Sequence, residues 1–367
     1  MSLAILGLGT AVPDAIIDQT VASEIARSLC CRTPENETWL SSMYGGTDIV
    51  TRRSSLGAAV VRDVIEGTRY SGSVFLPTGM PDDCGPTTGQ RLRHYAATAP
   101  PLAVAASRTA LERSGISPNA ISHLITVSCT GFLAPGIDVT LIQELGLPPT
   151  VERTNVGFMG CHGALNGLRV ARAFADADPN ARILLCAVEL CSPHYHYGWD
   201  PQRMIANAIF ADGAAALVGG PADIAPEDWH AVASGSCLIP KSTDAMTWTI
   251  GDHGFEMTLS KRVPGLIAEY LKPWLQSWLD QNGVALTDVK TWAIHPGGPR
   301  IVSAAEATLG IRPESTAASR AVFAEFGNMS SPTILFILER LRNENAPRPC
   351  VALGFGPGLT AEAALFG

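Results

Sequence analysis

Short, uninterrupted apolar runs closed by glycine, proline or charge recur along the chain: Leu3–Leu8, His123–Cys129, Ile183–Val188, Ala214–Val218, Thr291–His295 and Cys350–Phe355. Runs this uniform predict strands buried on both faces, because a strand with one wet face alternates instead. Between them, apolar positions return at helical spacing over Leu102–Ser114, Ile137–Glu144, Gly163–Ala177, Val263–Asp280 and Pro332–Asn343. Strands alternating with helices specify an α/β protein whose sheets are covered on both sides. The second half repeats the grammar of the first, with a helix-rich stretch, an apolar strand and a glycine-rich turn, which predicts a duplicated architecture. Gly219–Trp229, holding Gly, Pro, Asp and Glu, is the predicted boundary, with halves at residues 1–222 and 223–367. Leu76–Pro86, with three prolines and two glycines, is predicted as a surface loop.

Composition narrows the function classes. With 367 residues, 46% hydrophobic and 16% charged, the chain has apolar material for a large core and too little charge for disorder. A net charge of −8 argues against nucleic-acid binding, which rests on cations neutralising phosphates, so any anionic ligand must meet a local basic patch. Nine cysteines, an odd number without a Cys-x-x-Cys pair, and a start without a charged-then-apolar leader predict reduced thiols and a cytoplasmic protein. Gly, Pro or charge interrupts each apolar run short of the roughly 20 residues that span a bilayer.

The richest local signal is Thr154-Asn155-Val156-Gly157-Phe158-Met159-Gly160-Cys161-His162-Gly163-Ala164. It predicts Cys161 on a tight turn at a helix N-terminus, where unpaired N–H groups and the helix dipole favour a thiolate. A cysteine among apolar residues is also simply a small core side chain, so this segment alone leaves the role open. His162, its neighbour in sequence, is expected to point elsewhere. A second signal, Ala293-Ile294-His295-Pro296-Gly297-Gly298-Pro299-Arg300, places an imidazole at a strand end above a turn, a favoured site for catalysis in α/β folds. In Phe326-Gly327-Asn328-Met329-Ser330-Ser331-Pro332, Asn328 offers an amide to a developing oxyanion, or a helix cap. Gly354-Phe355-Gly356-Pro357-Gly358-Leu359-Thr360 is either a tight turn or a rigid cavity wall, with Gly356 and Pro357 at its centre.

Taken in this order, Gly-Cys-His-Gly, His-Pro-Gly-Gly-Pro, Gly-Asn-Met-Ser-Ser-Pro and Gly-Phe-Gly-Pro-Gly-Leu-Thr resemble the chalcone-synthase-like type III polyketide synthases, from Gly7 to the C-terminus. The resemblance implies a thiolase-like fold of duplicated αβαβα halves in five layers, and a homodimer. It implies Cys161, His295 and Asn328 as the catalytic three, acting on acyl-CoA and malonyl-CoA with no resident cofactor or metal. Phe210, in Ala208-Ile209-Phe210-Ala211-Asp212-Gly213, matches the family's gatekeeper between the coenzyme A tunnel and the catalytic cavity. Met257 falls where the second gatekeeper aromatic stands, and Trp248 where plant enzymes carry a small residue. Cys129 and Ala134 fall in the loop that the plant enzymes use to line the cavity and to reach across the dimer, while Cys191–Trp199, with His194 and His196, departs most from the plant pattern. Arg52, Arg53 and Arg300 are the candidate cations for the coenzyme's phosphates. Bacterial members suggest long acyl starters and alkylpyrone or alkylresorcinol products. A β-ketoacyl synthase III-like single condensation, a Cys/His/Asn thiol hydrolase and a non-catalytic binding protein are the other readings; the hydrolase is disfavoured because a papain-type cysteine signature is missing.

Overall fold

The computed structural model describes residues 2–80, 82–225 and 228–367. Pro81, in the predicted loop, and Pro226 and Glu227, in the predicted boundary, lie outside the described residues. The first half runs β1 (Leu3–Ala11), β2 (Ala15–Asp18), α1 (Gln19–Cys30), α2 (Pro34–Gly45), β3 (Thr51–Ser54), α3 (Ala58–Glu66), α4 (Thr88–Ser114), β4 (His123–Ser128), α5 (Ile137–Leu145), β5 (Glu152–Gly157), α6 (Gly163–Ala177), β6 (Ile183–Leu190), α7 (Pro201–Ile209) and β7 (Asp212–Pro221). The second runs β8 (His230–Leu238), β9 (Met246–Gly251), β10 (Gly254–Leu259), α8 (Val263–Gln281), β11 (Thr291–Ile294), α9 (Pro299–Leu309), α10 (Ala317–Phe326), α11 (Thr333–Asn343), β12 (Cys350–Gly356) and β13 (Thr360–Phe366).

The duplication is visible in strand order. One nine-stranded sheet reads β11-β12-β13-β8-β1-β7-β6-β4-β5, with β1 and β8 paired antiparallel at its centre. Outward from that seam, β1-β7-β6-β4 and β8-β13-β12-β11 follow the same rule: two antiparallel steps, then a parallel one. Helices α6 and α11 fill the space between the two halves, α4 and α5 cover the outer face of the first, and α8 and α9 pack over the second. This is the five-layered arrangement. Strands β6 and β12 are buried at every position, in keeping with their apolar runs.

Several elements exceed or escape the sequence reading. Helix α4 extends 14 residues further towards its N-terminus than the Leu102 start predicted, through Pro100 and Pro101. It begins at a capping box in which Thr87 and Gln90 satisfy each other's backbone N–H groups. Helices α1 to α3 and the β2/β3 ribbon, which the apolar pattern did not single out, form a separate cluster with α7 around Ile17, Leu40, Val60 and Met204. That cluster matters for function because a cavity opens within it.

Candidate active site

The turn before α6 is built by backbone conformation. Phe158 adopts φ +60°, Gly160 φ +70°, and Gly160 to His162 then form a single 3-10 turn that runs directly into α6. A left-handed phenylalanine is strained by about 1–3 kcal/mol, a cost that persists where surrounding structure over-determines the turn. Gly160 is required twice over, because a Cβ there would lie 2.5 Å from the Pro357 ring. His162 turns away from the thiol: its Nδ1–H donates to Asn166 Oδ1 at 2.7 Å, and Gly356 packs against its ring so closely that a Cβ could not fit. The terminal glycine loop therefore braces the nucleophile turn, Pro357 through Gly160 and Gly356 through His162.

Cys161 is buried in a chamber of about 20 Å³, room for about one water. Cys129, Thr130, Cys191, Phe210, Met246, Thr247, Trp248, Met257, Ser330 and Pro357 share its lining. Burial pushes the Cys161 thiol up to about 11; hydrogen bonds from the Ser330 and Asn328 side chains oppose the rise, and the Glu189 charge adds to it. The expected thiolate is thus not the resting form, since desolvation outweighs the helix-start geometry. Asn328 is 1% exposed, and its Oδ1 accepts from the Ser330 backbone N–H at 2.8 Å, which leaves the amide NH₂ as its available donor. Ser330 itself sits at φ +59°, a second left-handed side chain at the site.

His295 follows β11, its backbone N–H bonded to Leu353 O at 2.8 Å, and is 1% exposed. Neither ring nitrogen has a hydrogen-bond partner among the described residues, so no bond joins it to Cys161. Burial, with the His162 ring nearby, lowers its pKa to about 3. Leaving two buried polar atoms unpaired costs about 1–3 kcal/mol each, which marks the imidazole as a group awaiting a ligand.

The other expected residues separate into those at the cavity and those away from it. A second, larger cavity of about 180 Å³ lies outside the chamber, and Cys191, Phe210, Trp248 and Met257 line both. Those side chains form the partition; Trp248 and Met257 face each other across the β9–β10 hairpin, and Trp248 Nε1 donates to Cys129 O at 2.8 Å. His194 lines the outer cavity, but Nε2–H donates to Thr130 O at 2.7 Å and Nδ1 accepts from Phe255 N at 3.0 Å, so only its ring face is free for a ligand. That ring stacks on Phe255 at 4.2 Å, and burial lowers its pKa to about 4. Ala134 is exposed and lines neither cavity. Arg300 is exposed on the first turn of α9, also away from both, because α9 packs on the far outer layer. Arg52 and Arg53 line the outer cavity, but Arg52 is buried among protein carbonyls rather than presented at a mouth.

Sequence reasoning missed Glu189. It is fully buried within β6, where Cys129 N, Ser128 Oγ, Thr130 Oγ1 and Ser331 Oγ all donate to it, and burial raises its pKa. The signal was available as a lone carboxylate between the Ile183–Val188 run and Leu190, which demands donors from neighbouring segments if the strand continues through it. It ties the β4 end to the Ser331 turn and so fixes the chamber's floor.

Burial depresses five histidines, His94, His162, His194, His196 and His295, and this predicts acid lability. Because His295 and His194 are held below their ordinary 6.5, their contribution is fully present above pH 6.5. Below it, the unfolded chain takes up protons that the folded chain refuses, and stability falls by about 1.4 kcal/mol per pH unit for each group until its folded pKa is reached. Urea midpoints should therefore be level above pH 7 and decline between about pH 6.5 and 4. His295→Gln should make the decline shallower; an unchanged slope would show the imidazole already charged in the fold.

Comparison with known proteins places this geometry. Residues 2–223 match the family model for chalcone and stilbene synthases, N-terminal domain, and residues 231–367 match the C-terminal domain model. The chain is 32% identical over 368 residues to the alpha-pyrone synthesis polyketide synthase-like Pks18 of Mycobacterium tuberculosis, covering 98% of this chain and 90% of that one. It is 28% identical to type III polyketide synthase C of Arabidopsis thaliana, covering 98% and 94%. The crystal structure of PKS-I from the brown alga Ectocarpus siliculosus superposes with a TM-score of 0.90 at 33% identity, over 100% of this chain and 98% of that one. The C-terminal type III polyketide synthase domain of Steely1 from Dictyostelium gives 0.88 at 28% identity, over 100% and 99%. With both halves matched and the thiolase-like fold shared, the chain belongs to the chalcone and stilbene synthase family and is a type III polyketide synthase, an acyltransferase.

Proposed function

We propose that Cys161 carries the growing acyl chain, and that His295 and Asn328 handle the charge that develops around it. The observation that carries this reading is a buried thiol with an amide and a hydroxyl against it, and a doubly unpaired imidazole near the adjoining His162. Family membership supplies the substrates, coenzyme A thioesters. When a starter thioester arrives, the Cys161 proton passes to His295, and the two charges offset each other in a dry site where each alone is disfavoured. The thiolate attacks the thioester carbonyl, Asn328 and His295 hydrogen-bond its oxyanion, and coenzyme A leaves as the thiol with the proton from His295. Malonyl-CoA then loses carbon dioxide. The electron pair of the broken C–C bond passes into an enolate held by the same two donors, and its carbon attacks the Cys161 thioester, expelling the thiolate. The extended β-ketoacyl-CoA returns to Cys161 for further rounds until cyclisation releases it. The two halves, residues 1–222 and 223–367, divide the work: the first brings the nucleophile, the second the histidine and asparagine.

The outer cavity supports an aliphatic starter. Beyond the partition it is walled by Ile17, Ala22, Ile25 and Leu29 from the β2–α1 segment and by Leu56, Val60, Val61 and Val64 in and before α3, with few polar atoms. An alkyl chain buried there releases about 0.8 kcal/mol per methylene, about fourfold in affinity. Alkylpyrones or alkylresorcinols are the products this favours, and the mycobacterial relative is named for alpha-pyrone synthesis. Arg53, which lines this cavity and whose Nε has no hydrogen-bond partner among the described residues, is our candidate cation for a coenzyme phosphate. Phe132 and Met159, apolar and about two-fifths exposed beside the nucleophile turn, suit the interface of a homodimer, and the reduced thiols a cytoplasmic setting.

A product profile across acyl-CoA starters tests the reading. With malonyl-CoA, kcat/KM should rise by about fourfold per methylene until the outer cavity is full, and triketide or longer pyrones should form. Ala22→Phe, which fills part of that cavity, should shift the optimum to shorter chains. Products of a single condensation only, or no dependence on chain length, would sink it.

A further inference from the structure

Arg52 is 5% exposed and lines the outer cavity, yet most of its hydrogen bonding is directed at one joint. Its Nη1 donates to Asn207 O at 2.7 Å and to Phe210 O at 3.0 Å. Those carbonyls belong to the C-terminal end of α7, where backbone oxygens lack helical partners and the helix dipole is negative. Immediately beyond, the chain is bonded to the segment carrying Asn328: Asn328 N donates to Ile209 O at 2.9 Å, and Ala211 N donates to Asn328 O at 2.9 Å. Phe210 lies between those two bonds, a single parallel bridge to Asn328. Gly327 closes the joint from the other side, since a Cβ there would sit 3.1 Å from Ile209 O and 3.5 Å from Arg52 Cβ. The Phe210 backbone therefore cannot shift without moving the carbonyl that Arg52 holds, and the Asn328 backbone, bonded on both sides of it, must follow. Nε and Nη2 of Arg52 have no hydrogen-bond partner among the described residues.

We propose that Arg52 is a positioning residue that locks the backbones carrying the Phe210 partition and the Asn328 donor into one unit, so that the chamber wall and the oxyanion donor are set together. It rests on the reading in which Asn328 serves acyl transfer, but the joint can be tested apart from that chemistry. Hydrogen exchange at the Ala211 and Asn328 amides reads the two bonds directly. In Arg52→Ala both should exchange about tenfold faster together, while amides of β6 and β12 keep their protection, and millimolar guanidinium ion should restore both. For malonyl-CoA decarboxylation, the same variant should lose about tenfold in kcat with KM within about twofold, again recovered by guanidinium. If Arg52→Ala fails to fold, Arg52→Lys provides the measurement: its point charge cannot replace a planar fork bonded to two carbonyls, and the two amides should loosen together. Wild-type protection at both amides, or loosening at only one, would overturn the coupling. Absence of decarboxylation in the wild type would count against the proposed function instead, and the exchange result would still decide Arg52.

Discussion

Incubated with an acyl-CoA, the protein is expected to gain the mass of one acyl group, and Cys161→Ala to gain none. Overall turnover of the variant should fall by at least about four orders of magnitude, the scale seen when a nucleophile is removed. The expectation has force because Cys161 has thiol neighbours: Cys129 and Cys191 line the same chamber. Their surroundings differ. Burial and the nearby Glu189 carboxylate push the Cys129 thiol far up, and burial with Asp212 and Glu189 does the same to Cys191. Cys161 alone of the three has both the Ser330 and Asn328 side chains lowering its pKa, so its thiolate is the one within reach. Peptide mapping should place the acyl group on Cys161; a label that persists in Cys161→Ala and maps to Cys129 or Cys191 would end the assignment.

The parts of this site legible in the sequence are those whose conformation is local. Gly160 and Gly163 around Cys161 announce a turn into a helix, and β6 or β12 announce burial by their apolar runs, because backbone geometry and strand burial leave short-range marks. The partition left no such mark. Phe210 ends α7 while Trp248 and Met257 face each other in a hairpin, and only the packing of α7 on β10 brings them together. Trp248 and Met257 were reached through family resemblance, not through any pattern of their own. Helix α4 was half missed because Pro100-Pro101 reads as a break, whereas the residues before it carry their own cap at Thr87. The ionisation of Cys161 divides in the same way: helix-start geometry is local and favours the thiolate, whereas the desolvation that opposes it comes from residues 129, 191, 248 and 330, scattered along the chain. Arg300 shows the same limit from the other side. Adjacent to the His295 turn in sequence, it starts a helix that carries it away from the cavity.

Removing either proposed oxyanion donor should separate the steps of the reaction. Asn328→Ala deletes the amide that the Ser330 N–H holds in place, and His295→Gln replaces the unpaired imidazole by a group that cannot take the thiol proton. For malonyl-CoA decarboxylation, which requires no nucleophile, each variant should fall by about 10²–10³-fold, the value of one preorganised donor at a developing oxyanion. Acyl loading should respond unequally. Asn328→Ala retains the proton acceptor and should still load, slowly, whereas His295→Gln leaves Cys161 with a pKa near 11 and nothing to accept its proton. Raising the pH should therefore recover loading in His295→Gln, about tenfold per unit while the thiol is mostly protonated, and leave its decarboxylation rate low. The split follows from giving His295 two duties, proton acceptor for the thiol and donor to the enolate, that Asn328 shares only in part. Equal loss of loading in both variants, or a loading rate in His295→Gln indifferent to pH, would show that the imidazole does not govern the thiol, and normal decarboxylation in either would remove that residue from the mechanism.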